Sequence, residues 1–129
     1  GKVGRHLQEA LSIAGNYSNY NKPSDKIVLE LGTNGDFTEE ELNQLINKFG
    51  KAQIYLVNTR VPRDWQDNVN KQLANAAKKH KNVTLVDWYQ RSAGHSEYFA
   101  PDGVHLENSG VKALSDEIIK TIKKNSKNK

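Results

Sequence analysis

The segment FAPDGVHLEN, residues 99–108, places Asp102 three residues before His105 in a loop that also holds Pro101 and Gly103. An imidazole is the side chain best suited to general-base work near neutral pH. Asp102 could accept from one ring nitrogen of His105 and leave the other to face a nucleophile, which is the logic of a serine-hydrolase triad. On residue types alone, the pair reads equally well as the polar end of a helix-entry loop.

Other chemistries find less support. The chain has no cysteine, which removes thiol catalysis, disulfides and zinc–thiolate sites together. A metal reading would combine His95, Asp102 and His105, but the i, i+7, i+10 spacing matches no tight ligand pattern, so no metal is expected. His6 and His80 fall on predicted helices as polar surface residues. Neither GxGxxG nor GxxxxGK[ST] occurs, so nucleotide binding has no motif behind it. The formal charge is +4 and the pI about 9.2. Lys123, Lys124, Lys127 and Lys129 in the final KKNSKNK account for all of that charge. A charge-balanced body with a basic tail does not describe a nucleic-acid groove, and no nucleic-acid partner is expected. The tail, 123–129, is expected to be a frayed, solvated helix end, with the domain proper covering 1–122.

The elements that must position Asp102 and His105 follow from periodicity. KIVLELG (26–32), AQIYLVN (52–58) and NVTLVD (82–87) are short and nearly continuous in apolar character, as suits parallel strands covered on both faces. Leu7, Ala10, Leu11 and Ala14 carry a helical stripe, as do Leu42, Leu45, Ile46 and Phe49. Thr38 and Glu41 are spaced as a capping box and Gly50 as the stop. Trp65, Val69, Leu73 and Ala76 form a third stripe; Val111, Leu114, Ile118 and Ile122 form a fourth. Alternating strands and helices predict a three-layer α/β/α domain with a parallel sheet. In such sheets the chemistry lies beyond the carboxyl ends of the strands. After the first strand, the amide of Asn34 could donate into that crevice as an oxyanion-hole donor must. After the second, Arg60 and Arg63 could meet an anionic or polar substrate, or form surface ion pairs. After the third, a connection of more than ten residues leads to His105, and connections of that length tend to be functional or mobile. Its Trp88, Tyr89, Tyr98 and Phe99 suit either a sugar-binding cleft or buried packing.

Five stretches taken together, GKVGR (1–5), VLELGTNG (28–35), YLVNTRVPRDW (55–65), VDWY (86–89) and AGHSEYFAPDGVHL (93–106), resemble the SGNH hydrolase family. More narrowly, they resemble the extracellular C-terminal domain of Gram-positive peptidoglycan O-acetyltransferases. The resemblance implies a flavodoxin-like parallel sheet and assigns Asp102 and His105 as the catalytic pair. It puts Gly4 at an oxyanion-hole N–H and Asn34 at the side-chain donor, although the block here reads G-T-N-G in place of the commoner G-x-N-D. Arg60, Trp88 and His95 become candidate substrate contacts. The family's G-D-S block, whose serine is the nucleophile, is expected N-terminal to Gly4, where only Gly1, Lys2 and Val3 stand. The chain is therefore expected to be N-terminally truncated, with the edge of strand 26–32 covered by the chain's own N-terminal segment, by a second copy or by an upstream peptide. Ser92 and Ser96 are the only conceivable substitutes for the nucleophile, since they share the long loop with His105.

The implied activity is transfer of an acetyl group through an acyl-serine to a hydroxyl of peptidoglycan N-acetylmuramic acid. No organic cofactor is needed. An upstream membrane acyltransferase region would supply the acetyl donor, and the location would be the extracellular face of the cell membrane. A carbohydrate esterase and a non-catalytic cell-wall-binding module are the alternatives.

Overall fold

The computed structural model describes residues 25–31 and 36–127. The strand QIYLV has apolar or aromatic side chains on both faces and lies at the centre of the sheet. Its neighbours are β1 (Lys26–Glu30) on one side and β3 (Val83–Val86) on the other, with β2 (Gln53–Val57) between them. Both pairings are parallel, Ile27 opposite Ile54 and Ile54 opposite Val83, as the apolar runs predict.

Side chains alternate across β2 and so divide the core in two. Ile54 and Leu56 face α1 (Glu39–Lys48) and α2 (Gln66–Lys79), where they meet Leu42, Leu45, Ile46, Val69 and Leu73. Tyr55 and Val57 face α4 (Asn108–Lys127) and pack with Val86, Trp88, Ala113 and Leu114. The result is the expected α/β/α layering.

The capping box forms as its spacing predicts. Glu41 N–H donates to Thr38 Oγ1 at 3.1 Å, and Thr38 N–H donates to Glu41 Oε1 at 2.9 Å. Gly50 then takes a φ of 55°, ending the helix where a left-handed residue is required. The third stripe begins one residue later than expected, with Trp65 at the cap position of α2. His80 closes the same helix and its Nε2 lies 3.1 Å from Asn43 Oδ1, so it ties α2 to α1 rather than pointing into solvent.

Two expectations are refined. Residues 123–127 continue α4 as its last turns, and Asn125 Nδ2 donates to the hydroxyl of the fully buried Tyr55 at 3.0 Å, which ties this helix end to the sheet. Lys123 and Lys124 beside it are exposed. The long connection after β3 is also built structure. It contains α3 (Trp88–Arg91) and a 3-10 turn at Ser96–Tyr98 that docks on the start of α4. Ser109 Oγ donates to Glu97 O at 3.1 Å. A Cβ on Gly110 would stand 2.3 Å from the Tyr98 carbonyl oxygen, so only glycine permits this approach. Gly110→Ala should lower stability by about 1–3 kcal/mol as the turn is pushed off the helix. A chemical-denaturation midpoint within error of the parent would refute that contact.

The helix expected over Leu7–Ala14, together with Gly4, His6 and Asn34, lies outside the described residues. Among the described residues β1 has a strand partner on one side only.

Candidate active site

The turn carrying Asp102 and His105 is closed like a hairpin. Phe99 and Leu106 form an antiparallel bridge, Ala100 N–H donates to His105 O at 2.8 Å, and Glu107 N–H donates to Tyr98 O at 2.8 Å. Within it, Asp102 Oδ1 accepts from Val104 N–H at 2.9 Å and His105 N–H at 3.0 Å. This Asx turn explains the three-residue spacing. By capping the amides at i+2 and i+3, the aspartate brings the imidazole of the i+3 residue to its second oxygen, Oδ2, which hydrogen-bonds His105 Nδ1. Gly103 makes the turn possible with a φ of 74°, and its Cα side rests on Pro62, 3.2 Å from where a Cβ would sit.

The dyad is open to solvent, with 56% of the His105 side chain and 46% of the Asp102 side chain exposed. His105 Nε2 has no hydrogen-bond partner among the described residues, so it is free to serve a substrate or nucleophile. The N–H donors of Val104 and His105, together with the imidazole, hold the Asp102 carboxyl down from 3.8 to about 2. A depressed carboxylate stabilises the fold above its unfolded pKa and loses that contribution as pH falls through the folded value. The Asp102 turn should therefore stay intact above pH 3.8 and come apart as pH approaches about 2. A carbon-13 titration of the Asp102 carboxyl with its midpoint at or above the ordinary value would contradict the turn.

The loops after β2 and β3 are tied to one another, and to α2, through polar side chains that are distant in sequence. Asn58, buried at the end of β2, donates from Nδ2 to Asp87 Oδ1 at 2.8 Å and accepts from Tyr89 N–H at 2.7 Å. Asn70 clamps Thr59 by its N–H and C=O, at 2.9 and 2.8 Å. Arg60 donates from Nε to Ser92 Oγ at 2.9 Å and from Nη2 to Tyr89 O at 2.6 Å, with its guanidinium 4.1 Å above the Tyr89 ring. Asn58 is the residue that sequence reasoning missed. Its only signal is an amide at the end of an otherwise apolar strand.

The remaining candidates separate clearly. Trp88 is 4% exposed, stacked on Tyr98 with centroids 5.7 Å apart and tilted against Phe99 at 6.2 Å. It reaches only a small cleft of about 60 Å³ at the strand ends, shared with Glu30, Asn58, Arg60 and Val104. Of the two readings for these aromatics, packing describes Trp88. His95 stacks on Tyr98 at 4.5 Å and its Nδ1 lies 2.8 Å from Glu97 Oε2. It lines a groove of about 600 Å³ on the Gly103 side of the dyad turn, together with Arg60, Pro62, Ser96 and Phe99. Ser92 cannot replace a nucleophile: it is 1% exposed, and its hydroxyl donates to Trp88 O at 2.7 Å while accepting from Arg60. Ser96 is exposed at the start of the 3-10 turn and makes no hydrogen bond to His105. Among the described residues no three His, Asp or Glu side chains gather as a metal site, so His95 does not join Asp102 and His105. Nor is any described helix long and apolar enough to cross a membrane.

No protein-family model matches the chain. A provisionally named O-acetyltransferase of Staphylococcus aureus (strain COL) is 66% identical over 125 residues, which cover 96% of this chain and 21% of that protein. O-acetyltransferase OatA of Staphylococcus aureus (strain NCTC 8325 / PS 47) is 55% identical over 130 residues, covering 100% of this chain and 22% of its own length. The chain thus spans about a fifth of the relatives it matches. Among solved structures, the C-terminal catalytic domain of Streptococcus pneumoniae peptidoglycan O-acetyltransferase A, carrying a methylsulfonyl adduct, superposes with a TM-score of 0.76. Its identity is 23%, over 97% of this chain and 78% of that one. A Clostridium thermocellum family 3 carbohydrate esterase superposes with a TM-score of 0.68 at 17% identity, over 92% of this chain and 65% of that one.

Proposed function

We propose that this chain, a homologue of one segment of the O-acetyltransferases with the SGNH-like fold of their catalytic domain, carries the acid–base half of an acetyl-transfer site. The observation that supports this most is the Asp102–His105 turn, with Nδ1 engaged by the carboxylate, Nε2 without a partner among the described residues, and more than half of the His105 side chain exposed.

In this reading the nucleophile is a serine outside residues 1–129. His105 Nε2 takes its proton as the serine oxygen attacks the acetyl ester, and returns that proton to the departing alcohol. The acceptor hydroxyl then gives its proton to Nε2 while attacking the acyl-serine, which releases the product ester and restores the serine. Asp102 keeps Nδ1 protonated and stabilises the imidazolium formed in each half. Asn34, Gly4 and the serine's own N–H would hold the tetrahedral oxyanion, where loss of one donor typically costs about 10²–10³ in rate. The acceptor is a hydroxyl of peptidoglycan N-acetylmuramic acid, and the site works on the outer face of the cell membrane with an acetyl donor delivered by a membrane acyltransferase region of the same protein. The esterase reading uses the same residues and differs in the acceptor, which is then water.

The test is an assay of the full-length protein with a chromogenic acetyl ester and chitooligosaccharide or muropeptide acceptors. Acetylated saccharide should accumulate faster than free acetate. Acetate alone, at every acceptor concentration, would leave the esterase.

A further inference from the structure

Arg60 was a candidate substrate contact by sequence, and its setting in the fold gives it a more specific role. Its Nε and Nη2 bonds end on Ser92 Oγ and Tyr89 O, two acceptors that are themselves 3.3 Å apart. Acceptors that close together fill one edge of a planar guanidinium, the Nε/Nη2 edge. A guanidinium carries five N–H donors, so the Nη1/Nη2 end keeps its donors unspent. The ring of Tyr89 beneath it and the buried Ser92 fix the plane, which lowers the entropy lost when a ligand docks.

The charge is also uncompensated. Among the described residues Arg60 makes no ion pair, and no described aspartate or glutamate lines the groove of about 600 Å³ into which it opens. Glu30 shares the smaller cleft on the other side of Arg60 but lies beyond ion-pairing distance. The groove's other walls are apolar or neutral in character, from Val61, Pro62, Phe99 and Ala100, with His95 at the rim. Its volume falls in the range of small-ligand sites. Ala100 and Gly103 belong to both this groove and the dyad turn, so whatever lies in it adjoins the reacting centre.

We propose that this groove is an acceptor subsite in which the outward end of Arg60 clamps a carboxylate of the saccharide acceptor in bidentate fashion. A planar fork meeting a carboxylate forms two parallel, charge-assisted hydrogen bonds, the strongest polar recognition this groove can offer. The inference rests on the acetyl-transfer reading for the identity of the acceptor. The clamp itself rests on the geometry of Arg60.

Ligand-observed NMR on the full chain tests it with N-acetylmuramic acid, its methyl ester, and N-acetylmuramyl-L-alanine, whose carboxylate sits on the amino acid instead of the lactyl ether. The free acid should bind about 10–100-fold more tightly than the methyl ester. Arg60→Gln should erase that preference, and Arg60→Lys should restore only part of it because an ammonium lacks the fork. The alanine conjugate binding like the free acid would show that the clamp also accepts a carboxylate on the stem; binding like the ester would confine recognition to the lactyl carboxylate. Equal affinity of acid and ester in the unaltered chain overturns the proposal, as does an Arg60→Gln loss shared equally by both ligands. These outcomes are read without turnover, so a failure of acetyl transfer in the full-length protein would sink the functional reading and leave the clamp standing.

Discussion

Replacing His105 by alanine should lower acetyl transfer and acetyl-ester hydrolysis in the full-length protein by about 10⁴-fold or more, because base and nucleophile act as one unit. The loss should fall on kcat, since the imidazole moves a proton in the transition state and contributes little to ground-state binding. The fold should survive. His105 is largely exposed, its N–H and C=O hold the turn through the backbone, and alanine keeps both. A thermal midpoint close to the parent with the activity gone is the expected result. A variant that retains a tenth or more of the parent rate would remove His105 from the chemistry.

The second large effect belongs to Asp102→Asn, expected at about 10²–10⁴ in kcat. Asparagine is the informative replacement because its amide oxygen can still accept from Val104 and His105 N–H and so preserve the Asx turn. What it cannot do is hold Nδ1–H of the imidazole with a negative charge. Turned with NH₂ toward the ring, it favours the wrong tautomer. Asp102→Ala removes the turn as well, so it should cost stability that the asparagine variant keeps. If both variants unfold at the same denaturant concentration as the parent, the backbone hydrogen bonds of Asp102 are not supporting the loop.

These two residues were legible in the sequence because a short-range rule joins them: three residues, a positive-φ glycine between, one turn. The strands and helices were legible for a similar reason. Apolar runs of five and stripes of period 3.6 are local signals, and the Thr38–Glu41 box is local too. The supports of the site were not, because they pair residues about thirty positions apart: Asn58 with Asp87 and Tyr89, Arg60 with Ser92. Ser92 shows the cost of reading by type alone. A serine in the same loop as the base looks available until its hydroxyl is seen wedged between Trp88 O and the arginine. Trp88 and Tyr98 were ambiguous by composition, since an aromatic that stacks under a turn has the same neighbours in sequence as one that stacks on a sugar. At the C-terminus the lysines dominated the pattern, and the asparagine among them that bonds the Tyr55 hydroxyl, seventy residues away, carried no local signal.

The most direct measurement is to find where an acyl or sulfonyl group lands. Full-length protein inactivated with methanesulfonyl fluoride, digested and mapped by mass spectrometry should carry the label on one serine outside residues 1–129, and the His105→Ala variant should label far more slowly. Label on Ser92, Ser96 or another side chain of this chain, at a rate matching inactivation, would contradict the account.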